Sequence, residues 1–380
     1  MTGSRTEKLL SDLIALPSVN PAFLIDRPDL TGEARVAYFI SDLGRKAKLD
    51  VHFQEVFPGR CNVFLHAKPK GKSRNRILFA PHMDTVGAAG ATHDIFSPRQ
   101  AKNRIYGRGA CDTKGCIAAV LSGLLDVIQD KGAPPATEFI FCGLIDEEEG
   151  QTGSRALINS GFKADLAIVG EPTNLKIVTA HKGDLWLQIT TQGKSAHGSQ
   201  PELGQNAVLK MARVVELLET KYAKQLRKNK HPLLGNGTIN VGSIRGGSQP
   251  NIVPADCCIE VDRRTLPGET EQFVRQELNA LFRRNELTAK IKNNKSSPCP
   301  ALETDPTLPF VKKFFESTGQ TEKVGANFFC DAAIIAGGGI PSVVFGPGNI
   351  AQAHTADEWI SIASLEKAAS VYRRFIESFY

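Results

Sequence analysis

The sequence predicts an α/β protein: a mixed, mostly parallel sheet flanked by helices, with an α+β unit inserted into it. Three observations carry this. Apolar runs of strand length, Ile77–Ala80, Glu138–Ile145 and Leu166–Val169, alternate with helical patterns, as in a sheet buried on both faces. Polar clusters stand just past those runs, where open parallel sheets place their sites. From about Gly183 the texture changes to half-buried alternation, and it changes back after Asn294. The expected organisation is therefore residues 1–182 and 295–380 for a first domain and 183–294 for an inserted one.

The elements follow in order. Thr6–Leu16 places Leu9, Leu10, Leu13 and Ile14 on one helical face, and Pro17 stops it. A second helix follows Thr31-Gly32-Glu33 and runs to about Leu43, with Gly44 as its end. Val51–Val56 and Asn62–His66 read as strands, and Ile77–Ala80 as the central one. Gly107-Arg108-Gly109-Ala110-Cys111-Asp112-Thr113-Lys114-Gly115 reads as a glycine-rich turn that opens an apolar helix, Cys116–Ile128. A short helix, Ser154–Asn159, precedes Leu166–Val169. In the insert, strand Leu185–Thr190, helix Asn206–Thr220, strands Thr238–Ile244 and Cys257–Arg264, helix Glu269–Arg284 and strand Thr288–Ile291 give a β-α-β-β-α-β, ferredoxin-like order. The basic run Lys221–Lys230 reads as a solvated loop. Ser296-Ser297-Pro298-Cys299-Pro300 reads as the return linker. Helix Thr307–Ser317, strand Ser342–Phe345 and helix Ala363–Phe379 complete the first domain.

At 380 residues the chain can hold two domains. No apolar run reaches the roughly 18 residues of a membrane span, and the N-terminal stretch from Met1 and Thr2 lacks the apolar core of a signal peptide. The expectation is a cytoplasmic protein without a membrane partner. Eight cysteines contain no Cys-x-x-Cys, which argues against a thiolate zinc knuckle. The net charge of +6 suits an anionic small substrate and is no nucleic-acid footprint.

The chemistry is read from the strand ends. His82 and Asp84 are two apart and share a side of an extended backbone, so one can ligate a metal while the other fixes its ring. His82, Asp112, Glu148, Glu171 and His354 all stand at strand ends or in adjoining loops. Two histidines and three carboxylates suit a pair of divalent ions, Zn2+ first and Co2+ as an alternative. Two such ions need a shared anionic ligand, and Asp112 sits in a turn open enough to provide it. Of the pair Glu147-Glu148, one can ligate and its neighbour can act as general base. Singly, each has an ordinary account: a strand-end histidine, a turn aspartate, a solvated acidic run, a Glu-Pro turn, a capping histidine.

The set His82-Met83-Asp84-Thr85-Val86, Gly107 to Gly115, Asp146-Glu147-Glu148, Gly170-Glu171-Pro172-Thr173, Gly193-Lys194-Ser195-Ala196-His197 and His354 resembles the M20 metallopeptidases over nearly the whole chain. That family includes acetylornithine deacetylases, succinyl-diaminopimelate desuccinylases, carboxypeptidase G-type enzymes and aminoacylases. The resemblance implies a zinc-peptidase-like catalytic domain with a lid that serves dimerisation. It implies that His82 and Glu171 bind one metal, Glu148 and His354 the other, and Asp112 both. Asp84 would orient His82, Glu147 would be the general base, and the Asp112–Thr113 peptide bond would be cis. His197 would support the oxyanion across a homodimer interface, and Asn251 would be another lid contact. Arg264 would bind the substrate carboxylate, helped by the loop of Gly346 and Asn349; its ordinary account is an exposed strand-end arginine. Thr113 departs from the family, where many relatives carry methionine.

The expected reaction is hydrolysis of the amide bond of an N-acyl amino acid, as in the acetylornithine deacetylase and desuccinylase branch. The alternatives are carboxypeptidase G-like or dipeptidase action on short peptides with a free carboxylate, and a non-catalytic binding protein on the same scaffold.

Overall fold

The structure is a computed structural model that describes residues 3–88, 90–91, 93–294 and 297–380. Met1 and Thr2 of the N-terminal stretch, Lys295 at the expected boundary and Ser296 of the expected linker lie outside the described residues. The chain forms two compact units. The first comprises Met1–Thr179, Thr304–Val324 and Cys330–Tyr380, the second Ala180–Glu303 and Gly325–Phe329. The divisions thus fall at 179/180 and 303/304 rather than at 182/183 and 294/295.

In the first unit the strands run in the order Asp50–Phe57, Arg60–Ala67, Thr137–Gly143, Asn75–Pro81, Leu166–Gly170, Ser342–Val344, and last the Val178 end of the strand Val178–His181. Asn75–Pro81 is parallel to both of its neighbours, with Phe79 between Phe141 and Ile168. Ser342–Val344 is also parallel to Leu166–Gly170. The hairpin Asp50–Ala67 and the Val178 end are antiparallel. The mixed, mostly parallel sheet is the one the apolar runs predict: Thr137–Gly143 and Leu166–Gly170 are buried at every residue.

The helices cover this sheet. Arg5–Ile14 starts on a capping box, in which the Glu7 amide donates to Ser4 Oγ at 3.1 Å and the Ser4 amide to Glu7 Oε1 at 3.3 Å. Lys114–Lys131 runs beside the C-terminal helix Ile362–Glu377. A Cβ on Gly123 would stand 2.9 Å from the Arg373 nitrogen and 3.0 Å from the Ala369 carbonyl oxygen. Phe79, Phe314, Phe345, Tyr372 and Phe375 pack edge to face beneath it. The second helix corrects the sequence reading, since it runs from Ala34 to Lys46, through Gly44. Gly44 is buried there because a Cβ would meet Leu65 Cδ2 at 2.3 Å, so the glycine serves close packing and not termination. Three short strands, Arg99–Ala101, Arg104–Tyr106 and Trp359–Ser361, form a small sheet, of which the sequence shows only Arg104-Ile105-Tyr106 as a short extended stretch.

The second unit has an antiparallel sheet ordered Thr238–Gly246, Asp256–Thr265, Gly183–Gln192, Lys290–Asn293. Helices Ala207–Leu217 and Glu271–Arg284 contribute Met211, Val214, Val274, Leu278 and Phe282 to its core, against Leu187, Ile189, Ile259 and Val261. This is the ferredoxin-like order read from the sequence. The solvated loop expected at Lys221–Lys230 is corrected: the chain stays helical to Leu226, through a π turn at Leu218–Tyr222, because Tyr222 and Leu226 are buried while the lysines point out. Within this unit Leu302 pairs with His181. Within the first, the Thr304 amide donates to the Thr179 carbonyl at 2.8 Å.

Candidate metal centre

His82 follows directly on the central strand. Its Nδ1–H donates to the Asp84 carbonyl at 3.0 Å, which leaves the Nε2 lone pair for another partner. Nε2 faces Asp112 Oδ1 at 3.1 Å and Glu171 Oε1 at 3.9 Å. The other Asp112 oxygen, Oδ2, lies 3.4 Å from His354 Nε2, which is 3.0 Å from Glu148 Oε2. The five residues therefore form two groups of potential ligands, His82, Asp112 and Glu171, and Asp112, Glu148 and His354. Asp112 belongs to both, one oxygen to each. Glu171 and Glu148 extend from loops just past neighbouring strands, and Asp112 from the glycine turn, where Gly109 takes φ +83°. The Asp112–Thr113 bond is cis.

Two of these acids, Glu171 and Glu148, and the neighbouring Glu147 sit in a setting that disfavours their charge. Burial pushes the Glu171 and Glu147 carboxyls well above the usual carboxylate range, and Glu148 up to about 7. Hydrogen bonds to Asp112 and Glu148 raise His354 to about 10. His82 is raised against the effect of its burial by Asp112 and Asp84. Asp112, between the two rings, is held low in spite of its burial. Among the described residues, Glu148 Oε1 and Glu171 Oε1 are buried with no hydrogen-bond partner. Buried, unpartnered carboxylate oxygens beside imidazole lone pairs fit divalent cations bound through nitrogen and oxygen.

Asp84 does more than the sequence suggests. Its side chain is 3.4 Å from the His82 ring, farther than its own carbonyl. The carboxylate instead accepts the amides of Glu147 and Glu148, each at 3.1 Å, and the Asn20 amide group at 2.9 Å. Asn20 also donates to Asp146 at 3.0 Å, and Arg60 joins Asp146 to Glu33. This buried network holds the Glu147-Glu148 loop; the sequence reading names Asp146 only as part of the Asp146-Glu147-Glu148 motif and gives Asn20, Glu33 and Arg60 no part in the site. Thr113 donates its hydroxyl to the His82 carbonyl at 2.9 Å, a contact that methionine could not make.

The remaining candidates lie elsewhere. Gly346 packs against the Glu171 carbonyl; a Cβ there would come within 2.6 Å of its oxygen. Asn349 uses its side-chain oxygen to cap the turn at Ile350–Gln352, accepting the Ala351 amide at 2.9 Å. His197, Asn251 and Arg264 belong to the second unit. His197 is exposed, and its Nδ1 accepts the Ser199 amide at 3.2 Å, so Nε2 carries the proton and can donate. Asn251 is beside it, accepting the Gly198 amide at 2.7 Å. Arg264 lies in the strand Asp256–Thr265, a quarter exposed, with its guanidinium on Asp262 at 2.9–3.1 Å.

Comparisons with known proteins agree with this geometry. Residues 78–378 match the model of peptidase family M20/M25/M40. The chain is 32% identical to an acetylornithine deacetylase of Buchnera aphidicola over 81% of this chain and 82% of the relative. Among solved structures it resembles aminopeptidase PepT of Bacillus cereus, with a TM-score of 0.79 and 22% identity over 99% of this chain and 98% of that one. It also resembles a dinuclear metal-binding M20 peptidase of Bacillus subtilis, with a TM-score of 0.72 and 14% identity over 98% and 96%. The chain belongs to the M20/M25/M40 peptidase family and is a metal-dependent hydrolase of amide bonds.

Proposed function

We propose that the protein is a two-ion deacylase of N-acyl amino acids, with Zn2+ as the ion and Co2+ as a working substitute. The observation that carries this is Asp112, whose two oxygens face two histidines, each group completed by one glutamate. The Buchnera relative is an acetylornithine deacetylase, which favours an acyl amino acid over a peptide. The PepT neighbour, an aminopeptidase, keeps peptide hydrolysis as a second reading.

His82 and Glu171 would hold one ion, Glu148 and His354 the other, and Asp112 both. Bound there, the ions supply Lewis-acid polarisation of the scissile carbonyl and a more acidic water. Glu147 is the general base. Half-buried beside Glu148, it takes the proton of the attacking water and keeps it until the amine leaves. Water adds its oxygen to the carbonyl carbon, the C–N bond breaks, and the proton held on Glu147 goes to the nitrogen; a carboxylate and an amino acid leave. Asp84 and Asn20 keep Glu147 and Glu148 in place. His197, through its Nε2–H, supports the oxyanion, with Asn251 beside it, and Arg264 takes the substrate carboxylate as a planar fork. Gly346 and Asn349 would shape the loop that helps hold it. The protein works as a cytoplasmic homodimer.

The test is amine release by Zn2+- or Co2+-loaded protein on N-acetylornithine, N-succinyl-diaminopimelate, other acetyl amino acids, glutamate-terminated amides and dipeptides. Turnover of acyl amino acids is expected, with Glu147→Ala inactive while it retains both ions. Turnover confined to dipeptides would replace the first reading with the second.

A further inference from the structure

Glu358 lies four residues beyond His354 and is 3% exposed. Its Oε1 accepts the amides of Cys111 at 2.8 Å and Asp112 at 2.9 Å. Its Oε2 accepts the Gly109 amide at 3.0 Å and Arg108 Nη1 at 2.8 Å. Its own carbonyl accepts the Gly107 amide at 3.0 Å. Nearly the whole turn that presents Asp112 is thus gathered on one residue. Each side-chain partner is a donor, so a carboxylate satisfies all four and an amide side chain would set an NH2 against them. Arg108, equally buried, supplies the countercharge. The same loop is tied again at its start, where Cys111 Sγ–H donates to the Asn349 carbonyl at 3.3 Å. His354 therefore hangs between two anchors on the turn that carries Asp112.

We infer that Glu358 is a positioning residue for the two-ion centre, fixing the turn that aims both oxygens of Asp112 and the loop that carries His354. The inference rests on the reading of the site as a two-ion centre. Glu358 touches no proposed ligand side chain and acts through the backbone. Because Asp112 is shared, loosening its turn weakens both ions, whereas removing His354 weakens only one.

The experiment titrates metal-free wild type, Glu358→Gln, Glu358→Asp and His354→Ala with Co2+, followed by visible absorption. Wild type is expected to take two equivalents. In Glu358→Gln both bind roughly 10–100-fold more weakly, in His354→Ala only one does, and Glu358→Asp, which keeps the charge, recovers part of the loss. Two equivalents at wild-type affinity in Glu358→Gln would overturn the inference. A wild type that does not take two would overturn the two-ion reading itself, and this inference with it. Should Glu358→Gln not fold, amide hydrogen exchange on wild type decides. Gly109, Cys111 and Asp112 are expected to be protected equally with and without ions, because the carboxylate holds the turn. Protection that appears only with the ions would refute it.

Discussion

Asn20 donates from one amide group to two buried carboxylates, Asp84 and Asp146. Truncation takes a donor from both, so Asn20→Ala should cost about 1–3 kcal/mol, measured by urea unfolding. The centre also sets a pH dependence. Without ions, Glu148 has its proton affinity raised to about 7 and His354 to about 10. For both, the folded chain binds the proton more tightly than the unfolded one. Their contribution to stability is therefore present at acidic pH and lost as pH rises through those values. Ions take the place of those protons, so the gain in melting temperature on adding Zn2+ should widen between about pH 5 and pH 8. A gain that is flat or shrinks over this range would contradict it. The five candidate ligands were legible in the sequence because strand ends and a glycine turn present them. Asn20 and Glu358 were not, nor was the part Asp146 plays within its motif, since a buried polar residue declares its role only through partners distant in the chain. Glu358 left one trace, its place four residues after His354.

At the scale of elements, Gly123 marks the crossing of Lys114–Lys131 and Ile362–Glu377. In an exposed helix Gly→Ala gains up to about 1 kcal/mol. Here the new methyl would press on backbone atoms of Arg373 and Ala369, which a flexible side chain cannot relieve. Overpacking costs about 1–3 kcal/mol, so Gly123→Ala should lower the melting temperature. Gly44 shows why such glycines mislead a sequence reading: within a helical pattern, a stop and a close contact are written with the same residue. Strands were easier to see, because full burial on a parallel sheet leaves an unbroken apolar run. Of the three-residue strands, Arg104–Tyr106 is legible as a short extended stretch, while Trp359–Ser361 is too short to leave any period.

For the whole molecule, Thr238–Gly246 is an edge strand of the second unit with Ile244 exposed, a surface suited to pairing with a second copy. Sedimentation should find a particle of about twice the 41.2 kDa chain mass. A fully active monomer would remove the proposed role of His197 across the interface. The change of texture after Gly183 marks where the expected insert begins; the compact units divide three residues earlier at that end and nine residues later at the other. Those joins reach beyond chemistry. His181 and Leu302 are neighbours within the insert, and Thr179 and Thr304 are neighbours within the host. A stretch whose two ends meet can be acquired, exchanged or dropped by a single genetic event without rerouting the chain around it. The ancestry of the two units can therefore differ, and a short graft between Thr179 and Thr304 is the natural place to remove Ala180–Glu303, which leaves only Gly325–Phe329 of the second unit in the chain.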